Sequence, residues 1–256
     1  MLLNEPARTD YDITFRMFGF EIRTNLLFFI LPIWIGQGFV AAFVDINPGV
    51  GMLIVAAVFW ISVLVHELGH AFAFRLFGIH SRIVLYWMGG LAIPEGANRW
   101  SSTQGRRLTP GQQIIVSLAG PVAGLLLAGA LCLLTWSLQG SFRMSEWKII
   151  PLPLFGKESP IPQGGELHLA FLTGIVINIA LNLFNLIPVF PLDGGHVTRQ
   201  LMLLKDPWNG IRQSLILSIV TCVGMILLTV QVAIFLPIFF GLMAYANFQE
   251  LQGPRW

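Results

Sequence analysis

Residues 55–74 read VAAVFWISVLVHELGHAFAF, an apolar run about as long as the ~20 residues that cross a hydrocarbon core, yet it contains His66, Glu67 and His70. Three ionisable groups within five positions of such a segment are costly in lipid unless partners or a wet cavity receive them. The stretch therefore sets the fold and points to a site at once. On a helix, residues four apart share a face, so His66 and His70 can offer two imidazoles to one ion. Glu67 is rotated by about 100° from His66 and lies beside that face without having to be a ligand. Its carboxylate can take a proton from a water held by the metal. Zinc suits the arrangement, because a catalytic zinc site supplies three protein ligands and leaves the fourth position to water.

The rest of the chain agrees with a membrane solvent. Of its 256 residues 55% are hydrophobic and only 11% charged, far from the average of a soluble domain. Apolar runs near 26–43, 50–78, 111–137, 168–190, 213–231 and 232–249 predict about six transmembrane helices. The last division rests on Gln231 and Pro237 alone, which leaves five spans as the alternative. Expected architecture is thus an all-α polytopic membrane protein with short membrane-associated strands. It reads as one domain over 1–256, with an interfacial strand region in 1–25 and a transmembrane core in 26–249. With the N-terminus inside, all but Arg143, Lys148 and Lys157 of the 15 lysines and arginines fall on the cytoplasmic face, as the positive-inside rule requires. Both termini are then cytoplasmic. The basic groups are spread along membrane edges and never cluster with aromatics, which argues against a nucleic-acid partner. Met1 to Arg23 is polar and mixed in charge, so no secretory signal is read there. Cys132 and Cys222 fall within predicted helices at no ligand or disulfide spacing and read as small buried residues.

Two connections look β-rich. Ile13 to Arg23, ITFRMFGFEIR, predicts a strand or hairpin broken at Gly19. Residues 82–96, RIVLYWMGGLAIPEG, gather β-formers around Gly89 and Gly90 and predict a strand or loop at membrane depth, tolerated there only beside a cavity or buried in protein. The outer connection, roughly 138–167, carries too many prolines and glycines for a regular element.

A third metal ligand follows from residues 178–196, NIALNLFNLIPVFPLDGGH. Asn178, Asn182 and Asn185 lie on one helical face, as interhelical glue or, for Asn185, beside a site. Pro188 and Pro191 then interrupt the helix, and Gly194 and Gly195 allow a sharp turn around Asp193. This holds Asp193 at the same membrane side as His66 and His70. Residue type alone leaves His196 as a competing ligand. His80 and His168, near span ends, read as interfacial side chains.

HELGH at 66–70 in one span and NLIPVFPLDGG at 185–195 in another, in this order, together with the Gly89-Gly90 region and the early strand around Gly19, resemble the site-2 proteases, the intramembrane zinc metalloproteases. The resemblance covers roughly residues 13–200. It implies that His66, His70 and Asp193 bind one zinc ion, that Glu67 is the catalytic base, and that Asn185 contacts substrate or the developing oxyanion. Gly89 and Gly90 would lie on a strand that receives substrate by edge pairing. Implied substrates are transmembrane proteins, such as an anti-sigma factor or a signalling precursor, cut in a bilayer that is by default the bacterial plasma membrane. Two departures stand out: AGPVAG at 119–124 has Gly124 where many relatives carry Asn, and neither a PDZ nor a CBS domain is present, so the chain resembles a compact form. The rival reading is a metal-binding scaffold or transporter with the same ligands and no hydrolysis, for which no ionisable path to the outer face is visible. A soluble-type peptidase merely anchored in the membrane is contradicted by the apolar flanks of HELGH.

Overall fold

The computed structural model describes residues 7–41, 43, 45–87, 89–95, 108–139, 165–231 and 235–253. The outer connection and the basic residues Arg99, Arg106, Arg107, Arg143, Lys148, Lys157 and Arg255 lie outside the described residues. The elements are strands β1 (Ile13–Met17), β2 (Phe20–Thr24), β3 (Ser81–Tyr86) and β4 (Gly89–Pro94), and helices α1 (Ile30–Ala41), α2 (Pro48–Leu76), α3 (Pro110–Gln139), α4 (Glu166–Asn185), α5 (Asp193–Lys205), α6 (Gly210–Thr229) and α7 (Phe235–Gln252). The chain is mainly helical, with one small sheet.

Among the described residues, four helices are long and apolar enough to cross a bilayer: Pro48–Leu76, Pro110–Thr135, Glu166–Asn185 and Gly210–Thr229. They expose apolar side chains such as Leu126, Leu133, Val220 and Leu227, while Ser62, His66, Glu67, His70, Asn178 and Asn182 are buried. Apolar groups outside and polar groups inside is the pattern of helices in lipid, and the chain is an integral membrane protein. The expected count of six spans is not reproduced among the described residues. The run at 26–43 becomes a 3-10 turn at Leu26–Phe29 followed by a helix of only 12 residues, short of the length that spans. The run at 213–249 does form two helices, but α7 carries Asn247, Gln249 and Glu250 in its last turns and is only 18 residues long. A second difference concerns the segment after Pro191, where a turn was expected around Asp193. Asp193 is instead the first residue of α5. Gly194 and Gly195 serve close packing there: a Cβ on Gly194 would strike the carbonyl of Leu186, and one on Gly195 the backbone of Val189 and Phe190.

The sheet has the order β1-β2-β3-β4. β1 and β2 form an antiparallel hairpin in which Met17 faces Phe20 and Ile13 faces Thr24. Phe18 and Gly19 at its tip both have positive φ, 52° and 83°, the backbone that a two-residue turn needs to follow the strand twist. β2 runs parallel to β3, with Ile22 opposite Ile83 and Thr24 opposite Leu85. Parallel strands require a crossover, and α1 and α2 supply it. Helix α2 stops at Gly78, whose φ of 75° suits a glycine just past a helix end, and Ile79 N–H returns to the carbonyl of Phe74 at 3.0 Å.

Residue contacts group into two compact units. One comprises Met1–Leu68, Ser81–Ile93 and Ala123–Leu181; the other comprises Gly69–His80, Pro94–Val122 and Asn182–Trp256. In the first, Val40, Phe43, Val55, Leu169 and Leu172 form an apolar core, and the Asn178 amide donates to Ser62 Oγ at 2.8 Å, joining α4 to α2. In the second, Val189, Leu192, Cys222, Phe240 and Met243 form the core.

A buried polar knot ties the hairpin down in the first unit. Asp12 accepts from Arg23 at 3.2 Å and from the Asn25 amide at 2.8 Å, and Asn25 in turn caps the following turn through Leu27 N–H. Burial acts to raise the Asp12 carboxyl, but hydrogen bonds from Thr9 and Asn25 and the charge of Arg23 outweigh it and hold it below the ordinary value. A carboxyl depressed on folding adds stability above its unfolded pKa, and that stability is lost as pH falls through the folded value. Asp12→Asn is therefore expected to lower the melting temperature at pH 7 by a few degrees and to flatten the loss of stability below about pH 4. Thermal melts of the two proteins from pH 3 to 7 check this, and coincident curves would refute it.

Candidate metal centre

Helix α2 carries His66, Glu67 and His70 on adjoining faces of its C-terminal half, all with at most 7% of their surface exposed. Asp193 enters from the start of α5, where the unpaired N–H groups of the first helical turn favour a negative side chain. Its Oδ1 lies 3.3 Å from His70 Nε2. His66 stands one turn earlier on the same helix, and one ligand atom from each of His66, His70 and Asp193 falls within 4.8 Å of the others. Donors around a tetrahedral zinc at about 2.0–2.2 Å are separated by roughly 3.3–3.6 Å, so this trio can close on one ion with little movement.

The ring of His70 is fixed from behind. Its Nδ1–H donates to the carbonyl of Val116 on α3 at 2.7 Å, which leaves Nε2 with its lone pair toward Asp193. A carbonyl on the far nitrogen is the usual device for setting the tautomer and aim of a ligating histidine. Gly120, one turn further along α3, makes room for the ring: a Cβ there would overlap His70 Nε2 and its neighbours. Neither Val116 nor Gly120 was singled out by sequence reasoning. The only sequence signal was AGPVAG itself, whose Gly120 precedes Pro121 inside the helix.

Glu67 is enclosed similarly by the sheet. Gly90 on β4 lies against it so closely that a Cβ would collide with Glu67 Cγ and its carboxylate. Tyr86, at the end of β3, is 4% exposed; burial first and the charge of Glu67 second raise its phenol above the ordinary value, so it remains a proton donor. Gly89 has a φ of 128° and open space where a side chain would be. That backbone conformation is one glycine adopts readily. Asn185 is the half-buried last residue of α4 and makes no hydrogen bond to another described residue, so its amide is not committed to holding the fold. His196 is not in the metal group. Its ring packs edge-on against Phe190 at 4.9 Å, and burial, reinforced by Arg199 and His70 and opposed by Asp193, lowers its pKa. His168 lies against Phe43 at 5.5 Å and is not in the metal group.

Two buried imidazoles on an apolar helix and a partly buried carboxylate at the start of α5, with a second carboxylate alongside, define the chain as a membrane protein with a helix-borne group able to hold a metal ion. The chain belongs to peptidase family M50, whose family model matches residues 54–229 and so includes all four of these residues. The expected kinship with the site-2 proteases is borne out. A protein of Synechocystis sp. named as a zinc metalloprotease is 32% identical over 157 residues, 61% of this chain and 33% of its own length. A zinc metalloprotease of Methanocaldococcus jannaschii is 22% identical over 193 residues, 75% of this chain and 45% of its own length. The chain thus spans less than half the length of either curated relative. Among solved structures, the site-2 protease from Methanocaldococcus jannaschii superposes with a TM-score of 0.53 at 21% identity, covering 96% of this chain and 98% of that one, which shows a shared fold.

The two glycine contacts are separable from helix stability, because alanine is the better helix former. Gly120→Ala is expected to weaken zinc binding about tenfold or more, the effect of disturbing a ligand's supporting shell. Gly129→Ala on the same helix, where a Cβ meets nothing within 4 Å, should leave it unchanged. Chelator competition measures both, and equal affinities would contradict the role given to Gly120.

Proposed function

We propose that this chain is an intramembrane zinc protease that hydrolyses a peptide bond within or near a transmembrane segment of another protein. The observation that carries the reading is the convergence of His66, His70 and Asp193 with Glu67 next to the first ligand on the same helix. Membership of a peptidase family and the zinc metalloprotease names of two relatives support it.

When bound, zinc supplies Lewis acidity, which makes a water nucleophilic near neutral pH and polarises a carbonyl. Glu67 takes one proton from the attacking water as its oxygen bonds to the scissile carbonyl carbon. The carbon–nitrogen bond then breaks, and Glu67 returns that proton to the leaving nitrogen. One water is consumed, and a carboxyl and an amine terminus are produced. Glu67 is fit for this because Gly90 brings β4 against its side chain, which limits its rotamers. Asn185, with its amide uncommitted, can donate to the carbonyl oxygen as negative charge develops there.

A substrate helix shields its amides by its own hydrogen bonds and must unwind before attack. β4 is the terminal strand of the sheet, and Gly90 brings that strand against Glu67. An unwound segment pairing with β4 would recover its backbone hydrogen bonds next to the catalytic carboxylate. Gly89 and Gly90 are then part of the substrate platform, the first by its turn geometry and the second by its lack of a side chain. Candidate substrates are single-span proteins whose cleavage frees a cytoplasmic portion, an anti-sigma factor or signalling precursor among them. The distribution of lysine and arginine favours both termini in the cytoplasm, with a bacterial plasma membrane as the default setting.

Glu67→Gln separates proteolysis from mere metal binding. The variant is expected to retain the zinc content of the wild type and to cleave single-span proteins some 10²- to 10⁴-fold more slowly. Zinc analysis alongside a cleavage assay on purified proteins provides both numbers, and a variant that cleaves at the normal rate would defeat the assignment.

A further inference from the structure

Between α4 and α5 the chain crosses residues 186–192 without regular helix, and backbone groups buried there need partners. The peptide groups of Phe190, three residues before Asp193, find theirs on two other helices. Phe190 N–H donates to Ser218 Oγ of α6 at 3.0 Å, and the Phe190 carbonyl accepts from Asn247 Nδ2 of α7 at 2.6 Å. Ser218 and Asn247 are each only 1% exposed.

Both side chains are also held by their own helices. The Ser218 hydroxyl donates to the carbonyl of Ser214 at 2.9 Å, so its proton is committed and its lone pair faces Phe190. Asn247 Nδ2 donates its other proton to the carbonyl of Met243 at 2.7 Å. Phe190 is therefore gripped on both sides by groups whose own orientation is fixed. Gly195 packs against the same Phe190 backbone, so the first turn of α5, with Asp193 at its start, is referenced to this one peptide. Arg199 covers the ring of Phe190 at 3.8 Å and closes the arrangement from α5.

We propose that Ser218 and Asn247 are positioning residues for the metal centre: by clamping Phe190 they set the carboxylate of Asp193 against His70. The inference rests on Asp193 being a metal ligand and deepens that reading. It gives α6 and α7 a role in the site although neither contributes a ligand. A purely structural role, satisfying two backbone groups, predicts lost stability with unchanged metal affinity. A positioning role predicts that affinity falls more than stability explains, as it does when groups behind a ligand are removed.

The test uses the full chain in detergent micelles, with zinc affinity from chelator competition and cobalt absorption as a report on coordination geometry. Ser218→Ala and Asn247→Leu are each expected to raise the zinc Kd about tenfold and to alter the cobalt spectrum. Ser218→Thr, which keeps the hydroxyl, should stay near the wild type. Val55→Ala, in the apolar core of the other unit, serves as a stability control and should lower the melting temperature while leaving the Kd alone. Should Asn247→Leu not fold, Ser218→Ala and its threonine counterpart decide the matter alone. Wild-type Kd and cobalt spectrum in a folded Ser218→Ala protein, with Asp193→Ala clearly weakened, would overturn the clamp and leave the ligand assignment standing. Wild-type affinity in Asp193→Ala would overturn both.

Discussion

One constraint shapes this molecule: two imidazoles and a carboxylate sit within the apolar helix α2, with a second carboxylate beside them at the start of α5, and an uncompensated charge there is costly. His66, His70 and Asp193 lie close enough to hold one ion between them, and Gly90 of the sheet lies against Glu67. The rest of the polar interior follows the same logic. Asn178 is paired with Ser62, and the interrupted backbone at Phe190 is paired with Ser218 and Asn247. Polar groups in lipid are rarely idle, because each needs a partner to be kept there.

The site is assembled from elements with different tasks. Helix α2 fixes the spacing of the two histidines by its own geometry, α3 aims one of them through Val116 and yields space at Gly120, and α5 presents Asp193 from its first turn. The sheet reaches Glu67 through Gly90. Two glycines that would count as helix or strand weaknesses are the places where backbone approaches a functional side chain within van der Waals contact. Such close approach holds His70 and Glu67 against backbone on one side. Rigid support of this kind is what a hydrolytic metal site requires.

How much of this could be read beforehand depended on whether the relevant relation was local. His66, Glu67 and His70 are tied by helical periodicity, so five residues suffice to see them. Asp193 was legible because the prolines at 188 and 191 end a helix near it, although its place at the start of α5 was not. That helix reads as a turn from Gly194 and Gly195, whose actual service is tight packing against Leu186 and Phe190. The hairpin at Ile13–Thr24 was visible from its β-formers and Gly19, but not the parallel pairing of β2 with β3, which joins strands nearly sixty residues apart. Likewise Val116, Gly120, Ser218 and Asn247 act across helices, and a serine or asparagine in an apolar run carries no mark of its partner. The six-span count is not confirmed among the described residues, where α1 is cut short by a 3-10 turn and α7 turns polar toward Glu250.

The central claim concerns the coordination of one ion, and X-ray absorption at the zinc K-edge of the purified, zinc-loaded protein addresses it most directly. The account predicts a four-coordinate centre with two imidazole nitrogens and oxygen donors, all at about 2.0–2.2 Å, changing when Asp193 is replaced by alanine. Sulfur scattering at about 2.3 Å, or a spectrum showing no imidazole contribution, would contradict it.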